Sequence, residues 1–379
     1  MRALVSGGGT AGHIYPALAV ARALAATGHD TVAFVGAPDS LEERLAAQAG
    51  LEFIPVRVSG WDRARPLSFA KGSATTLGSL GRCVRLLHRE RIDVVIGFGG
   101  YVSLPLGLAA AIAHVPLVIH EQNSVPGVAN RTLARLARRV CLTYESSLSL
   151  LPARGTAIVT GNPVRESVLG ASAARGRIAF GVGTDEVLLL VFGGSRGARH
   201  LNEVVINLYP RLTQVCRLRV VQIAGPKEAA DVRDALGRLA GAVPAWWAVE
   251  EYVDNMGDLM AAADLVVCRS GATTLAELSA IGRASVLVPY PYATDDHQTR
   301  NAAPFAEAGA SEVIADAALD GADFERMVVS LLEDPGRRAI MADAARTLGR
   351  PDAAEAVASA ARAAAGGTQK TDHDTRGGR

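Results

Sequence analysis

Cysteine is scarce in this chain. Four stand in 379 residues (Cys83, Cys141, Cys216 and Cys268), and no two form a CxxC pair. That excludes a zinc knuckle or a disulfide framework and fits a reducing compartment. An excess of one charge is also missing, because 39 basic residues meet 38 acidic ones and leave a net charge of +1. Nothing draws the whole molecule to nucleic acid, so no nucleic-acid partner is expected, and any electrostatic partner must meet a local patch. A long unbroken apolar run is absent. Leu104 to Ile119 comes nearest, but His114 and Pro116 interrupt it, so it reads as a helix followed by a strand. The opening MRALVSGGGT has no apolar stretch of leader length, and no secretory signal is expected. What remains is 49% hydrophobic and 20% charged, a globular composition whose length suits two domains.

Strands and helices alternate along the chain. Ala3 to Val5 reads as a strand, Gly7 to His13 as a glycine turn, and Pro16 to Ala26 as a helix with proline in its first turn. The alternation continues through Thr31 to Val35, Val94 to Ile96, Leu104 to Ala113, Leu117 to His120 and Val125 to Ala137. Gly155 to Arg165 reads as a last strand and a linker. A second series then opens with the strand Val187 to Phe192, another glycine turn and a helix from Arg199. Two Rossmann-like, doubly wound parallel-sheet α/β domains facing a cleft are expected. The boundaries are set at 1–162 and 163–345, with a helix over 350–364 packing back on the first domain and a disordered tail over 366–379.

The stretch Cys268 to Ala303 carries the densest chemistry. An apolar strand runs into Arg269-Ser270-Gly271, and a helix starts near Ala272. Its first turn offers N–H groups and the positive end of a dipole, suited to a diphosphate. Glu277, in the second turn, can accept hydrogen bonds from the vicinal hydroxyls of a ribose. Three glycine turns, Gly7 to Gly12, Gly97 to Ser103 and Gly193 to Gly197, stand where strands end. Gly7, Gly9 and Gly12 match G-x-G-x-x-G, a dinucleotide signature. However, the second strand ends Phe34-Val35-Gly36-Ala37 without the acid that would hold a ribose, so a nicotinamide or flavin cofactor is disfavoured and none is expected. His13 sits where the first turn becomes a helix. It reads either as a neutral general base or as a capping or phosphate-contacting group. His120-Glu121-Gln122-Asn123 is a polar quartet at a strand end. His29, His88, His114 and His200 stand in no such context and read as surface or core residues.

Six motifs in one order, GGGTAGHIYPALAVA, GFGGYVSLPLGLAA, HEQNSVPGVANR, TGNPVR, GGSRGARHLN and CRSGATTLAELSAIGRASVLVPYP, resemble the MurG family of N-acetylglucosaminyltransferases from about Leu4 to Gly309. The resemblance implies a GT-B glycosyltransferase fold, with an N-terminal acceptor domain and a C-terminal donor domain. It implies inverting transfer of N-acetylglucosamine from UDP-N-acetylglucosamine to the 4-hydroxyl of the muramoyl sugar of undecaprenyl-linked lipid I, giving lipid II in peptidoglycan synthesis. It also implies no metal, and the adjacent pair Asp295-Asp296 reads as solvated. His13 would be the base, with Glu121 a second candidate. Thr10, Ala11 and Gly12 would meet donor sugar and acceptor phosphate, and Asn123 the N-acetylglucosamine. Arg165 and Ser195 would meet the donor diphosphate and nucleotide, and Val253 the uracil. Ala272, Thr273 and Thr274 would receive diphosphate, and Glu277 the ribose. Gln298, with Asn301 behind it, would reach the sugar hydroxyls.

Three positions depart from the family pattern. Ala11 and Leu104 stand where glycine is common, and His297 replaces one of two adjacent glutamines. A lipid-linked acceptor also requires a membrane-facing surface. Trp61 to Arg91 mixes Trp61, Leu67, Phe69, Leu77, Leu80 and Leu86 with Arg63, Arg65, Lys71, Arg82, Arg85 and Arg89, and Arg131, Arg135, Arg138 and Arg139 add charge. An apolar face ringed by cations suits the anionic inner-leaflet surface; the alternative is an amphipathic helix packed on its sheet. The protein is thus expected to be peripheral on the cytoplasmic face of the bacterial cell membrane, with cell-wall synthesis and division proteins as further partners. Rival readings are another GT-B enzyme such as a UDP-N-acetylglucosamine 2-epimerase, a non-catalytic sugar-nucleotide-binding module, and a dinucleotide oxidoreductase.

Overall fold

A computed structural model of the chain describes residues 1–57, 66–194 and 198–366, with residues 66–77 given as helical backbone alone. The chain forms two compact units, Met1–Val164 together with the chain from Asp352 onward, and Arg165–Pro351.

In the first unit, strands β1 (Arg2–Ser6), β2 (Thr31–Gly36), β3 (Glu52–Pro55), β4 (Val94–Gly97), β5 (Leu117–Glu121), β6 (Arg139–Leu142) and β7 (Thr156–Val159) form one parallel sheet in the order 3-2-1-4-5-6-7. Helices α1 (Ala11–Ala25), α2 (Leu41–Gln48), α3 (Pro66–Arg89), α4 (Gly100–Ile112) and α5 (Val128–Leu133) connect them. Both faces of this sheet are covered, so its central strands are apolar at successive positions. Ala3 and Val5 point into one core and Leu4 into the other; Val94 and Ile96 likewise oppose Val95, the alternation a pleated strand imposes.

The second unit contains α6 (Glu166–Leu169), α7 (Ala173–Ala179), β8 (Val187–Phe192), α8 (Arg199–Asn207), α9 (Tyr209–Leu212), β9 (Leu218–Ile223), α10 (Ala229–Ala240), β10 (Trp247–Glu250), α11 (Met256–Ala262), β11 (Leu265–Cys268), α12 (Ala272–Ile281), β12 (Ser285–Leu287), α13 (His297–Glu307), β13 (Ser311–Val313), α14 (Ala322–Glu333) and α15 (Pro335–Leu348). Its six strands are parallel in the order 10-9-8-11-12-13. The last helix, α16 (Ala353–Gly366), returns to the first unit. Val357, Ala358, Ala361 and Ala364 join the core that α1 also feeds. Arg362 fixes it by bonding to Asp30 Oδ2 at 2.9 Å and to Ala23 O at 3.3 Å.

Each sheet therefore has the doubly wound order, and each has one switch point where the chain reverses direction. These lie between β1 and β4 in the first unit and between β8 and β11 in the second. The crevice at the carboxyl ends of such a strand pair is where open α/β sheets take ligands. The tail beyond Gly366 lies outside the described residues.

Candidate functional site

At the first switch point, the turn after β1 meets the turn after β4. The approach is so close that side chains are excluded. At Gly100, with φ of +80°, a Cβ would lie 2.2 Å from Gly8 O, and at Gly7 a Cβ would lie 2.5 Å from His13 O. Ser103 ties the two turns, sharing a 3.0 Å bond with Ser6 Oγ and donating to Gly99 O at 2.7 Å. Glu42 of α2 is buried under the first turn, and its Oε1 accepts the Gly9 N–H at 2.9 Å. One amide of this turn is therefore already used, and a carboxylate opposes an anion at that point.

His13 lies in the first turn of α1, half-buried, with Nδ1 3.0 Å from Thr10 Oγ1. When Nδ1 carries the proton and donates to Thr10, Nε2 is the ring's acceptor, the tautomer a base requires. The ring edge is close to Gly99, where a Cβ would be 3.3 Å from Nε2. Thr10 is the cap residue of the helix, and Ala11 and Gly12 are its first two residues.

The polar quartet at the end of β5 divides into distinct roles. His120 is buried; its Nε2 donates to Gly161 O at 2.9 Å, and Gln122 Nε2 lies 3.3 Å from its Nδ1. Burial, only partly offset by the Gly161 bond, pushes its pKa down to about 4, so the ring is neutral. Glu121 is 1% exposed and accepts from Asn123 N (3.0 Å), Asn123 Nδ2 (3.4 Å), Gly127 N (3.1 Å) and Asn130 Nδ2 (2.8 Å). Burial raises its pKa against those bonds. A carboxylate with this many donors braces the turn that carries Asn123. The resemblance names Glu121 as a second candidate for the base; in the structure its oxygens accept bonds from its own loop.

In the second unit, α12 begins at Ala272 behind Gly271, and Leu275 N–H is bonded back to Gly271 O at 3.0 Å. The helix's own backbone offers no acceptor to the amides of its first turn, around Ala272, Thr273 and Thr274. Glu277 is 5% exposed, and both Arg165 Nε (2.8 Å) and Nη2 (2.7 Å) bond to its Oε1. Burial raises the Glu277 pKa, and Arg165 opposes that rise. Two residues with separate expected roles, diphosphate and ribose, thus form one ion pair across 112 positions of sequence.

Gln298 is held at both ends, with Oε1 accepting Tyr290 N at 2.9 Å and its carbonyl accepting Ser270 Oγ at 2.9 Å. Asn301, fully buried, lies behind it with Nδ2 3.5 Å from Ser270 O. Asp295 and Asp296 are exposed and both adopt positive φ, 53° and 50°, just before α13. Val253 is half-buried between β10 and α11. Ser195 lies outside the described residues, as do Trp61, Arg63 and Arg65, and nothing is described of the side chains of Leu67, Phe69, Lys71 and Leu77. Sequence reasoning passed over Glu42 and His200. Glu42 carries no motif signal. His200 had one clue, its place just behind the glycine turn of GGSRGARHLN.

Residues 3–142 match the glycosyltransferase family 28 N-terminal domain and residues 188–357 the glycosyltransferase family 28 C-terminal domain. A UDP-N-acetylglucosamine--N-acetylmuramyl-(pentapeptide) pyrophosphoryl-undecaprenol N-acetylglucosamine transferase of Moorella thermoacetica is 40% identical over 94% of this chain and 97% of its own. The crystal structure of Acinetobacter baumannii MurG superposes with a TM-score of 0.74 at 28% identity, covering 96% of this chain and 99% of that one. A putative UDP-N-acetylglucosamine 2-epimerase from Listeria monocytogenes has a TM-score of 0.68 at 16% identity over 95% of both chains, a likeness of fold alone. The architecture is thus that of GT-B glycosyltransferases, and by sequence the chain belongs to the MurG family of N-acetylglucosaminyltransferases.

Proposed function

We propose that this chain transfers N-acetylglucosamine from UDP-N-acetylglucosamine to the 4-hydroxyl of the muramoyl sugar of lipid I, giving lipid II and UDP for peptidoglycan synthesis. The observation that carries this reading is 40% identity across 94% of the chain to a transferase so named. The 2-epimerase alternative rests on a fold likeness at 16% identity, which carries no chemistry.

In this reading the second unit takes the donor. The first turn of α12 and Arg165 face the diphosphate, Glu277 the ribose, Val253 the uracil, and Gln298 the sugar hydroxyls. The first unit takes the acceptor, with Thr10, Ala11 and Gly12 at its phosphate region and Asn123 at the transferred sugar. The acceptor hydroxyl attacks the anomeric carbon as the bond to the UDP oxygen breaks on the opposite face. His13 Nε2 takes the hydroxyl proton, and the electron pair leaves with the diphosphate. Fixed dipoles at the α12 start offset the charge growing there. Glu121 serves as a positioning residue for Asn123.

A lipid-linked acceptor places the protein at a membrane. The reading is peripheral attachment at the cytoplasmic face; among the described residues no helix is long and apolar enough to cross a membrane. A groove of about 530 Å³ supports this, lined by Ile54, Pro55, Val56 and Leu86 with Arg82, Arg85 and Arg89. Cell-wall synthesis and division proteins are proposed as partners on the strength of the reaction alone.

The test combines the purified protein with labelled UDP-N-acetylglucosamine and a lipid I analogue, with EDTA present. Label in the lipid product is the expected result. Tight donor binding without transfer would move the acceptor to another class, and absence of donor binding would overturn the reading.

A further inference from the structure

His200 is the second residue of α8, directly behind the glycine turn that follows β8. Its Nδ1 lies 2.8 Å from Asp316 Oδ2 and its Nε2 3.0 Å from Asp320 Oδ2. Carboxylates only accept, so both ring nitrogens must donate. A neutral imidazole has one N–H, and the arrangement is therefore that of an imidazolium. The other oxygen of Asp316, Oδ1, is 2.5 Å from Arg269 Nη1. Arg269 is 6% exposed and is the first residue after β11. The same nitrogen reaches Val288 O at 3.3 Å and Pro289 O at 3.2 Å, and the guanidinium lies 5.7 Å from the centre of the Tyr290 ring. Tyr290 N in turn holds Gln298. One carboxylate thus joins two cations, and through them the segments that follow β8, β11, β12 and β13.

We propose that His200 is a positioning residue of the donor site, clamping Arg269 through Asp316, so that donor affinity falls when His200 loses its proton. This rests on the donor nucleotide binding at the switch point between β8 and β11. Asp316 and Asp320 are the charged groups that bond to the ring. Arg269 acts through Asp316. Arg199, beside His200, is paired with Glu228 at 3.8 Å, Glu203 lies one turn further along α8, and Arg211 of α9 bonds to Glu325 of α14. Loss of the proton removes one of two donors and leaves two carboxylates against a neutral ring. The remaining N–H serves only one of them and no longer carries a charge, so Asp316 holds α8 and Arg269 together less tightly, and the common anchor of the turns that present α12 and Gln298 is weakened. The Asp316 bond raises the His200 pKa above its ordinary value, against partial burial and with help from Asp320. The clamp is therefore strongest on the acid side and weakens as pH rises through that raised value.

The test is UDP affinity by titration calorimetry from slightly acid to alkaline pH, for the wild type, His200→Gln, His200→Lys and Glu277→Gln. Wild-type affinity is expected to fall about fivefold or more across the range, a typical coupling between sites. His200→Gln should sit at the weaker value throughout and retain only the slope of UDP's own titration. His200→Lys, which keeps a charge over the whole range, should stay near the tighter value. The donor KM should follow these changes while kcat does not. Glu277→Gln should weaken binding but keep the wild-type slope. A His200→Gln protein with the wild-type slope, beside an impaired Glu277→Gln protein, would overturn the clamp alone. A Glu277→Gln protein that binds UDP like the wild type would overturn the nucleotide's placement, and the clamp with it.

Discussion

A histidine at the start of α1 is useful to catalysis only if one nitrogen is committed and the other accepts. Thr10 commits Nδ1 at 3.0 Å. Replacing His13 with alanine is expected to lower kcat by roughly 10²–10⁴-fold, the usual worth of a positioned base, with UDP affinity nearly unchanged. Thr10→Val should lower kcat less and Thr10→Ser should restore it; steady-state kinetics at saturating donor separates these outcomes, and an unaltered His13→Ala turnover would remove His13 as the base. Glu277 differs, because its carboxylate is buried against Arg165. Glu277→Ala should mainly raise the donor KM, by roughly 10–100-fold if charged hydrogen bonds worth about 1.5–3 kcal/mol are lost. A pure kcat defect would contradict the ribose role. The positions of His13 and Glu277 near helix starts were legible in the sequence because each stands inside a local motif. The Arg165–Glu277 pair was not, since its members stand 112 residues apart and only the fold brings them together. Glu42 under Gly9 and the two aspartates around His200 were hidden for the same reason. Glu121 shows the converse limit, because a strand-end position does not reveal which donors a carboxylate meets.

Among the elements, the βα pairs behind the glycine turns could be read from alternation alone, because strand, turn and amphipathic helix each have their own period. The short strand β3 fell between those signals. Helix α16 is the instructive case, since its alanine-rich face carries little hydrophobic contrast, yet that smallness allows close packing on α1. Ala361 is fully buried, so Ala361→Leu should overpack the contact and cost about 1–3 kcal/mol. The Arg362–Asp30 bond adds a pH signature. Burial pushes the Asp30 pKa up, but Arg362 and the N-terminal ammonium more than offset it, and the folded value lies below the usual one. A depressed carboxyl contributes stability that is present above the unfolded pKa and lost as pH falls through the folded one. Arg362→Ala should therefore cost about 1 kcal/mol at neutral pH. The difference from wild type should shrink once Asp30 is protonated in both. Denaturant unfolding at neutral and acid pH measures it, and a cost that does not change with pH would show that α16 is held by packing alone.

For the molecule as a whole, balanced charge means that the proposed attachment to a membrane would have to come from one face rather than from the net +1. The sequence placed that face in Trp61 to Arg91, but the periodicity of α3 could not separate a helix packed on its sheet from one turned to lipid. In the structure one face of the described part of this helix is packed and another lines an open groove. Cys83 and Leu87 are buried in the core of the first unit. Arg82, Arg85, Leu86 and Arg89 line the groove beside Ile54, Pro55 and Val56, and an adjoining hollow adds Pro38 and Arg57. A concave apolar floor edged by guanidinium groups suits acyl chains and anionic headgroups together. Each basic residue at an anionic surface contributes about 1 kcal/mol, so Arg82→Gln with Arg85→Gln should weaken binding to phosphatidylglycerol-containing vesicles by roughly thirty-fold. UDP affinity, assigned to the second unit in the proposed function, should not change. Added salt should weaken the wild-type interaction, because the charged part is screened within about a Debye length while the apolar part is not. Sedimentation with vesicles of graded anionic content reads both effects. Binding that ignores salt and the paired substitution would move the membrane contact to another surface, with Arg131, Arg135, Arg138 and Arg139 the next residues to exchange.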